Sequence, residues 1–365
     1  MGYFIDVLVV GGLVVWFILF VNSKRFGKAP PKNKYSSSPN FKDGKFCNIE
    51  ETSILKKSTA FFRTLWKFII KPKNLAPAKN LPSVKTNLKD LNYQSPAIIW
   101  FGHSSYLITL KKFNILVDPV LDDNASPFFF LGKPFMGTDV YKSSDMPDID
   151  MLILTHDHFD HLEYKTITRM HSRAKHIYTS LGVKYHLMHW GIPENKITEF
   201  DWNDIHNVPN EISEEITLTA LTSRHFSGRK FFKNLSLWSA FILQLGDCKI
   251  YIGADSGYGK HFKEIGEKHG PFHLAMIECG QYDNDWPIVH MTPEEAYRAA
   301  LDIRTEILLP DHWGKFALAL HPWDEPMQRL FAAHTENKFR ITTPLIGEPV
   351  ILNEKLPDKK WWESV

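Results

Sequence analysis

Cysteine is scarce in this chain: Cys47, Cys248 and Cys279 are the three in 365 residues, far apart and without a CxxC pair. That excludes a disulfide framework and a cysteine-held zinc module, and it favours a reducing compartment. The first segment is almost without charge. Over residues 3–21, "YFIDVLVVGGLVVWFILFV", Asp6 is the single charged side chain. The start also lacks the basic residues and A-x-A cleavage pattern of a secretory signal, and "MGYFID" lacks the Ser or Thr of a myristoylation signal. Nineteen residues at helical rise reach ~28 Å, about the hydrocarbon thickness of a bilayer. The expectation is an uncleaved transmembrane anchor over residues 1–23. Lys24, Arg25 and Lys28 behind it would place the bulk of the chain on the cytoplasmic side.

Apolar residues make up 44% of the chain and charged residues 23%, a globular balance with room for one large domain or two modest ones. A net charge of +2 hides an asymmetry. Residues 22–90 hold sixteen Lys/Arg against four Asp/Glu, so the part beyond them is net acidic. A basic stretch behind a membrane anchor suits an anionic lipid surface. A solvated linker is the plainer reading, and nucleic acid is disfavoured by the anchor and by the acidic remainder. Within residues 58–73, "STAFFRTLWKFIIKPK", Arg63, Lys67 and Lys71 recur every four residues among aromatic and aliphatic neighbours. This predicts an amphipathic helix, lying in a membrane surface or packed on the main domain. The extension is therefore taken as residues 24–94.

From residue 95 the texture changes to short apolar runs between polar turns. "AIIWFG", "SYLITL", "NILVDPV", "DMLILT", "HIYTS", "ITLTAL", "SAFILQL", "KIYIGA", "LAMIEC" and "TEILLP" read as strands. Helical patterns fall near residues 164–173, 183–190 and 293–301, the last announced by Thr292, Pro293, Glu294 and Glu295. No internal repeat is visible. Strands with helices between them predict one layered α/β or α+β domain over residues 95–365.

The chemistry concentrates in "LTHDHFDHLEYKT". His156, His158, Asp160 and His161 sit on a loop just behind an apolar strand, where neighbouring side chains can turn toward one point. Imidazole and carboxylate suit zinc and similar divalent ions, and four such groups in six residues point to more than one ion. The missing ligands have counterparts at other strand ends: His225 after "ITLTAL", Asp255 in "GADSGYG" and His312 in "PDHWGKF". Asp157, inside the same motif, is not expected to be a ligand.

"HDHFDH" with these later residues resembles the H-x-H-x-D-H signature of the metallo-β-lactamase superfamily. "WFGHSSYLITL", "ILVDPV", "GADSGYG", "VHMTPEEA" and "HWGKFALA" are similar, within it, to the N-acyl-phosphatidylethanolamine-hydrolysing phospholipase D family, over roughly residues 97–321. The resemblance implies a four-layer αββα sandwich with two divalent ions, usually zinc, between loop ends. By position, His156, His158 and His225 would hold one ion. Asp160, His161 and His312 would hold the other, and Asp255 would bridge. It further implies catalytic roles for Asp255 and Asp160, and a place behind the ligands for Asp118 and for His103. His290 would lie near the lipid headgroup and Phe159 against substrate, standing where relatives carry tyrosine. Ser256 replaces a more usual threonine.

The expected reaction is hydrolysis of a membrane phospholipid, N-acyl-phosphatidylethanolamine, to N-acylethanolamine and phosphatidate by water activated between the two ions. A lactonase or other soluble hydrolase of the same fold is the alternative, although the anchor gives a soluble substrate no purpose. A non-catalytic membrane scaffold would be expected to have lost ligands, and all seven are present. Whether the chain works alone or as a homodimer is left open by the sequence.

Overall fold

The computed structural model of the protein describes residues 12, 15, 17–53, 70, 72–229 and 232–365. Most of the predicted anchor and the predicted helix over residues 58–73 lie outside the described residues. Among those described, no helix is long and apolar enough to cross a membrane.

Two seven-stranded sheets carry the domain. The first runs, edge to edge, Pro349–Ile351, Ala97–Trp100, Tyr106–Leu110, Phe113–Val117, Ile149–Leu154, Ala174–Ser180 and Ile197–Phe200. The second runs Arg340–Ile341, Ile307–Asp311, Leu274–Glu278, Cys248–Ile252, Ala240–Leu245, Ile216–Leu221 and Ile205–Asn207. Each sheet is antiparallel on one side and parallel on the other, with the change at Phe113–Val117 and at Cys248–Ile252. All ten apolar runs expected to be strands are strands.

Central strands such as Tyr106–Leu110 and Leu274–Glu278 are buried at every position, as strands covered on both faces must be. The inner faces meet in one continuous apolar core. Helices cover the outside: Lys184–His189 packs beside Ile197–Phe200, while Pro293–Asp302 packs on Leu274–Glu278 and against His261–His269 and Glu325–Ala333. The Thr292 hydroxyl and the Glu295 carboxylate close a capping box at the start of Pro293–Asp302. Helices outside two facing sheets make the expected αββα arrangement.

The described parts of the extension pack on this domain. Leu81, Leu88 and Leu91 belong to the main core. Tyr35 and Phe46, the latter on the small Phe41–Lys42/Lys45–Phe46 hairpin, form a second cluster with Trp202, Leu237 and Trp238.

Parallel strands deliver loops to one edge, and that edge gathers the polar residues. Asp118, Thr155 with His156, and His312 follow directly on buried strands, and Asp255 lies three residues past the end of Cys248–Ile252. Four residues there have left-handed backbones, His103 (φ 55°), Asp118 (φ 40°), Ala254 (φ 52°) and His312 (φ 62°). For non-glycine residues this costs on the order of 1 kcal/mol or more each, and it persists where the surroundings demand it.

Candidate metal centre

The loop after Ile149–Leu154 turns sharply: the amides of His161 and Leu162 both donate to the carbonyl of His158. That turn brings His156, His158, Asp160 and His161 to one side, against Asp255. The two oxygens of Asp255 face different partners. Oδ2 lies 3.7 Å from His156 Nε2 and 3.5 Å from His225 Nε2. Oδ1 lies 3.2 Å from His161 Nε2 and 3.2 Å from His312 Nδ1. His158 Nδ1 stands 3.2 Å from His225 Nε2, and Asp160 Oδ2 stands 3.7 Å from His161 Nε2. All seven residues predicted as ligands therefore converge, in two sets joined by Asp255. Two groups of side chains have the spacing to hold an ion: His156, His158, His225 and Asp255, and His103, Asp160, His161 and His312. A third group with that spacing, Asp255, Glu278, His290 and His312, borders both.

Divalent cations fit this donor set on a specific observation. His156 Nε2, His161 Nε2 and Asp255 Oδ1 are buried and have no hydrogen-bond partner. Buried polar atoms left unpaired are rare and costly, and here they face one another across a space lined by acceptors.

The surrounding hydrogen bonds fix which nitrogen faces inward. Asp118 Oδ2 accepts from His161 Nδ1 (2.8 Å) and from the Thr155 hydroxyl (2.6 Å), while its Oδ1 accepts from the Thr155 amide (2.9 Å). The Thr155 hydroxyl in turn accepts from His156 Nδ1 at 3.0 Å. The carbonyl of Val289 accepts from His225 Nδ1 at 2.8 Å. In each case the outer nitrogen carries the proton, leaving the Nε2 lone pair for the centre.

Burial, reinforced by neighbouring imidazoles, holds His156, His225 and His312 well below the ordinary histidine range. His161 differs: burial opposes its charge, yet Asp255, Asp160 and Asp118 hold it well above that range. Asp255 is held well below the usual carboxylate range, because the histidines, His161 foremost, outweigh its burial.

His103, expected behind the ligands, donates from Nε2 to Asp160 Oδ2 across 3.0 Å and packs on the His312 ring at 4.0 Å. It therefore stands within ligand distance of the second set as well as behind it. His290 pairs with buried Glu278 at 2.6 Å and lies beside the rings of His225 and His312. Burial pushes the Glu278 carboxyl upward, and Glu278 in turn holds the proton on His290. Phe159 lines an adjoining cavity of about 690 Å³, together with His158, Asp160 and a largely apolar wall.

Several contributors carry no sequence signal. Glu278 reads as the end of an apolar strand, yet its Oε1 also accepts from the Ser256 amide at 2.7 Å beside Asp255. Ser104 Oγ reaches His312 Nδ1 at 2.9 Å. Asp157 is neither a ligand nor solvated. It is buried, accepts from Ser236 Oγ (2.8 Å) and the Gly228 amide (2.7 Å), and lies 3.3 Å from His186. Arg229, also buried, donates to the carbonyls of Asp157 (2.8 Å), Leu162 (2.7 Å) and Arg25 (2.6 Å), with its guanidinium 4.0 Å over the Phe159 ring.

Residues 113–313 match the model of the beta-lactamase superfamily domain. An uncharacterized protein of Mycobacterium tuberculosis is 35% identical over 331 residues, 89% of this chain and 87% of the relative. The N-acyl-phosphatidylethanolamine-hydrolyzing phospholipase D 1 of Caenorhabditis elegans is 32% identical over 265 residues, 68% of this chain and 74% of the relative. Among solved structures, Igni18, a metallo hydrolase from Ignicoccus hospitalis, superposes with a TM-score of 0.54 at 18% identity, over 72% of this chain and 100% of that one, a likeness of fold. The chain belongs to the metallo-β-lactamase superfamily and is a metal-dependent hydrolase, with N-acyl-phosphatidylethanolamine-hydrolysing phospholipases D among its relatives.

Proposed function

We propose that this protein is a membrane-bound phosphodiesterase that hydrolyses N-acyl-phosphatidylethanolamine to phosphatidate and an N-acylethanolamine. One observation carries the reading: the largely apolar cavity of about 690 Å³ ends on His158, Phe159 and Asp160, the metal-ligand loop itself. A soluble sugar substrate would leave such a wall unused, whereas an acyl chain would fill it. The Caenorhabditis elegans relative supports the same substrate class.

His156, His158 and His225 with one oxygen of Asp255 would hold one divalent cation, zinc being the ion best suited to this donor set. Asp160, His161 and His312 with the other oxygen would hold the second. When bound, such a pair supplies Lewis acidity to the phosphoryl oxygens and to the attacking water.

The chain's own residues do the rest. Asp118 and Thr155 fix the rings of His161 and His156, so the centre is organised before substrate arrives. The phosphodiester would lie between the ligand loop and His290, whose proton is held by Glu278. Water adds to phosphorus in line, and the bond from phosphorus to the ethanolamine oxygen breaks. That oxygen leaves with a proton as N-acylethanolamine, and the phosphate stays on the diacylglycerol as phosphatidate. The apolar wall and Phe159 hold the acyl chain and keep bulk water away. The anchor over residues 1–23 would keep the enzyme on its substrate's membrane, with the catalytic domain on the cytoplasmic side.

The test is incubation of the zinc-loaded protein with mixed phospholipids and identification of products by mass. Phosphatidate together with N-acylethanolamine is the expected pair. An unchanged lipid mixture alongside hydrolysis of an added lactone would replace this reading with the lactonase one.

A further inference from the structure

The loop over residues 127–136, "PFFFLGKPFM", presents a contradiction that a soluble enzyme would avoid. Phe129 is 76% exposed, Phe130 57%, Leu131 46% and Met136 57%. Four large apolar side chains displayed within eight residues form a patch that normally meets another surface. The loop displaying them is tied down. The Ala125 amide donates to the Gly132 carbonyl (2.9 Å), Leu131 to Phe128 (3.1 Å) and Phe135 to Lys315 (2.8 Å). The Asn124 amide side chain holds the Phe129 carbonyl at 2.9 Å, and Arg25 holds the Pro127 carbonyl at 2.6 Å. Phe135 is buried beneath it.

Two further features share this edge. Phe130 and Leu131 line the mouth of the cavity that leads to His158 and Asp160. The described end of the apolar N-terminal run also arrives here: Phe20 packs on Phe128 at 5.1 Å, and Val15, Phe17, Ile18 and Leu19 before it are exposed. Lys133 in the loop is an exposed cation, and Lys24 and Lys28, also exposed, stand one and three residues from Arg25, which holds the loop at Pro127. Apolar rings at the centre and lysines at the border match acyl chains below and anionic headgroups around them.

We infer that residues 127–136 form a bilayer-docking loop, seated in the acyl layer of an anionic phospholipid membrane, through which a lipid passes sideways into the cavity. The identity of the passing lipid rests on the phosphodiesterase reading; the docking does not. The anchor holds the protein near the membrane, and the loop sets the orientation that joins the cavity mouth to the acyl layer.

The test uses the full-length, zinc-loaded protein in vesicles of phosphatidylcholine and phosphatidylglycerol at 3:1. In Phe129→Trp, the emission in excess of the parent protein should shift blue, be quenched by phosphatidylcholine brominated on its acyl chains, and resist aqueous acrylamide. Excess emission open to acrylamide and untouched by bromine would overturn the proposal. A blue shift that grows with protein concentration without vesicles would assign the loop to a second copy of the chain and overturn it equally. Separately, Phe129→Ser, at an exposed ring of the loop that does not line the cavity, should lose about tenfold in hydrolysis of vesicle-embedded N-acyl-phosphatidylethanolamine, while keeping its rate on a soluble short-chain phosphodiester. An equal fall on both substrates would overturn lateral entry. If the parent protein cleaves neither substrate, the phosphodiesterase reading fails, and the fluorescence result still decides the docking.

Discussion

Asp118 holds no ion in this account, yet both ligand sets depend on it, so its amide variant gives a sharp expectation. Its two oxygens accept three hydrogen bonds, from the Thr155 amide, the Thr155 hydroxyl and His161 Nδ1. The Thr155 hydroxyl passes the constraint to His156. In Asp118→Asn one oxygen becomes an NH2 group. If the remaining oxygen keeps the Thr155 amide, the new donor faces the Thr155 hydroxyl and His161 Nδ1. His161 then gains by carrying its proton on Nε2, the atom aimed at the centre. Loss of such an outer partner costs about 10- to 100-fold in metal affinity, or about 1.4–2.7 kcal/mol. Asp118→Ala takes the acceptor from all three donors instead, at about 1–3 kcal/mol for each left unpaired in the folding of the metal-free protein. Asn should therefore do more harm to metal affinity than to folding, and Ala should harm both. Thr155→Val touches His156 directly and His161 only through the shared carboxylate, so it should weaken one equivalent more than the other. Competition against a chromophoric chelator with metal stoichiometry, beside urea melts of the chelated protein, separates these. Two equivalents bound at parental affinity in Asp118→Asn would show that Asp118 does not set the His161 tautomer.

Arg229→Met removes three hydrogen bonds to carbonyls at both ends of the ligand loop and at residue 25; a urea melt should show a loss of about 3 kcal/mol or more, at about 1–3 kcal/mol for each acceptor left unpaired. Lys at that position should fail similarly, because one ammonium cannot reach three fixed carbonyls in a plane. Truncation to residue 23 should release the protein from membranes with its metal content intact. Truncation through residue 27 should also weaken metal retention, because Arg25 and Phe26 touch Arg229 and Phe159. His261 is buried, and burial pushes it down to about 4 from 6.5. The unfolded chain takes up that proton first, so the stability His261 contributes is whole above pH 6.5 and falls away toward pH 4, by up to about 3 kcal/mol. His261→Gln should flatten the pH dependence of the denaturation midpoint in that window, and parallel curves would contradict the assignment.

The residues that bind are legible from sequence, and the residues that hold them are largely not. Ligands repeat one local pattern, an apolar strand ending in His or Asp, and the pattern is visible one strand at a time. Glu278, Arg229 and Ser104 act through partners 12, 67–72 and 208 positions away, and only the folded chain reveals such pairings. Asp157 sits among ligands and looks like one, but the backbone turns it to the far side of the loop, onto Ser236 and Gly228. Among secondary elements, Ile205–Asn207 and Pro349–Ile351 are three-residue edge strands, too short for any alternation to show. The helix His261–His269 contains Gly266, ordinarily a helix weakener. A Cβ at that position would lie 1.9 Å from the Asp302 carbonyl, so close packing on the neighbouring helix requires glycine there.

In the phosphodiesterase reading, water adds to phosphorus at the centre gathered around Asp255. Hydrolysis of vesicle-embedded N-acyl-phosphatidylethanolamine in ¹⁸O-water measures it most directly. One heavy oxygen is expected in the phosphate of the phosphatidate and none in the N-acylethanolamine, with no turnover by Asp255→Ala. Heavy oxygen in the N-acylethanolamine or in a released fatty acid would place the attack at carbon and contradict it.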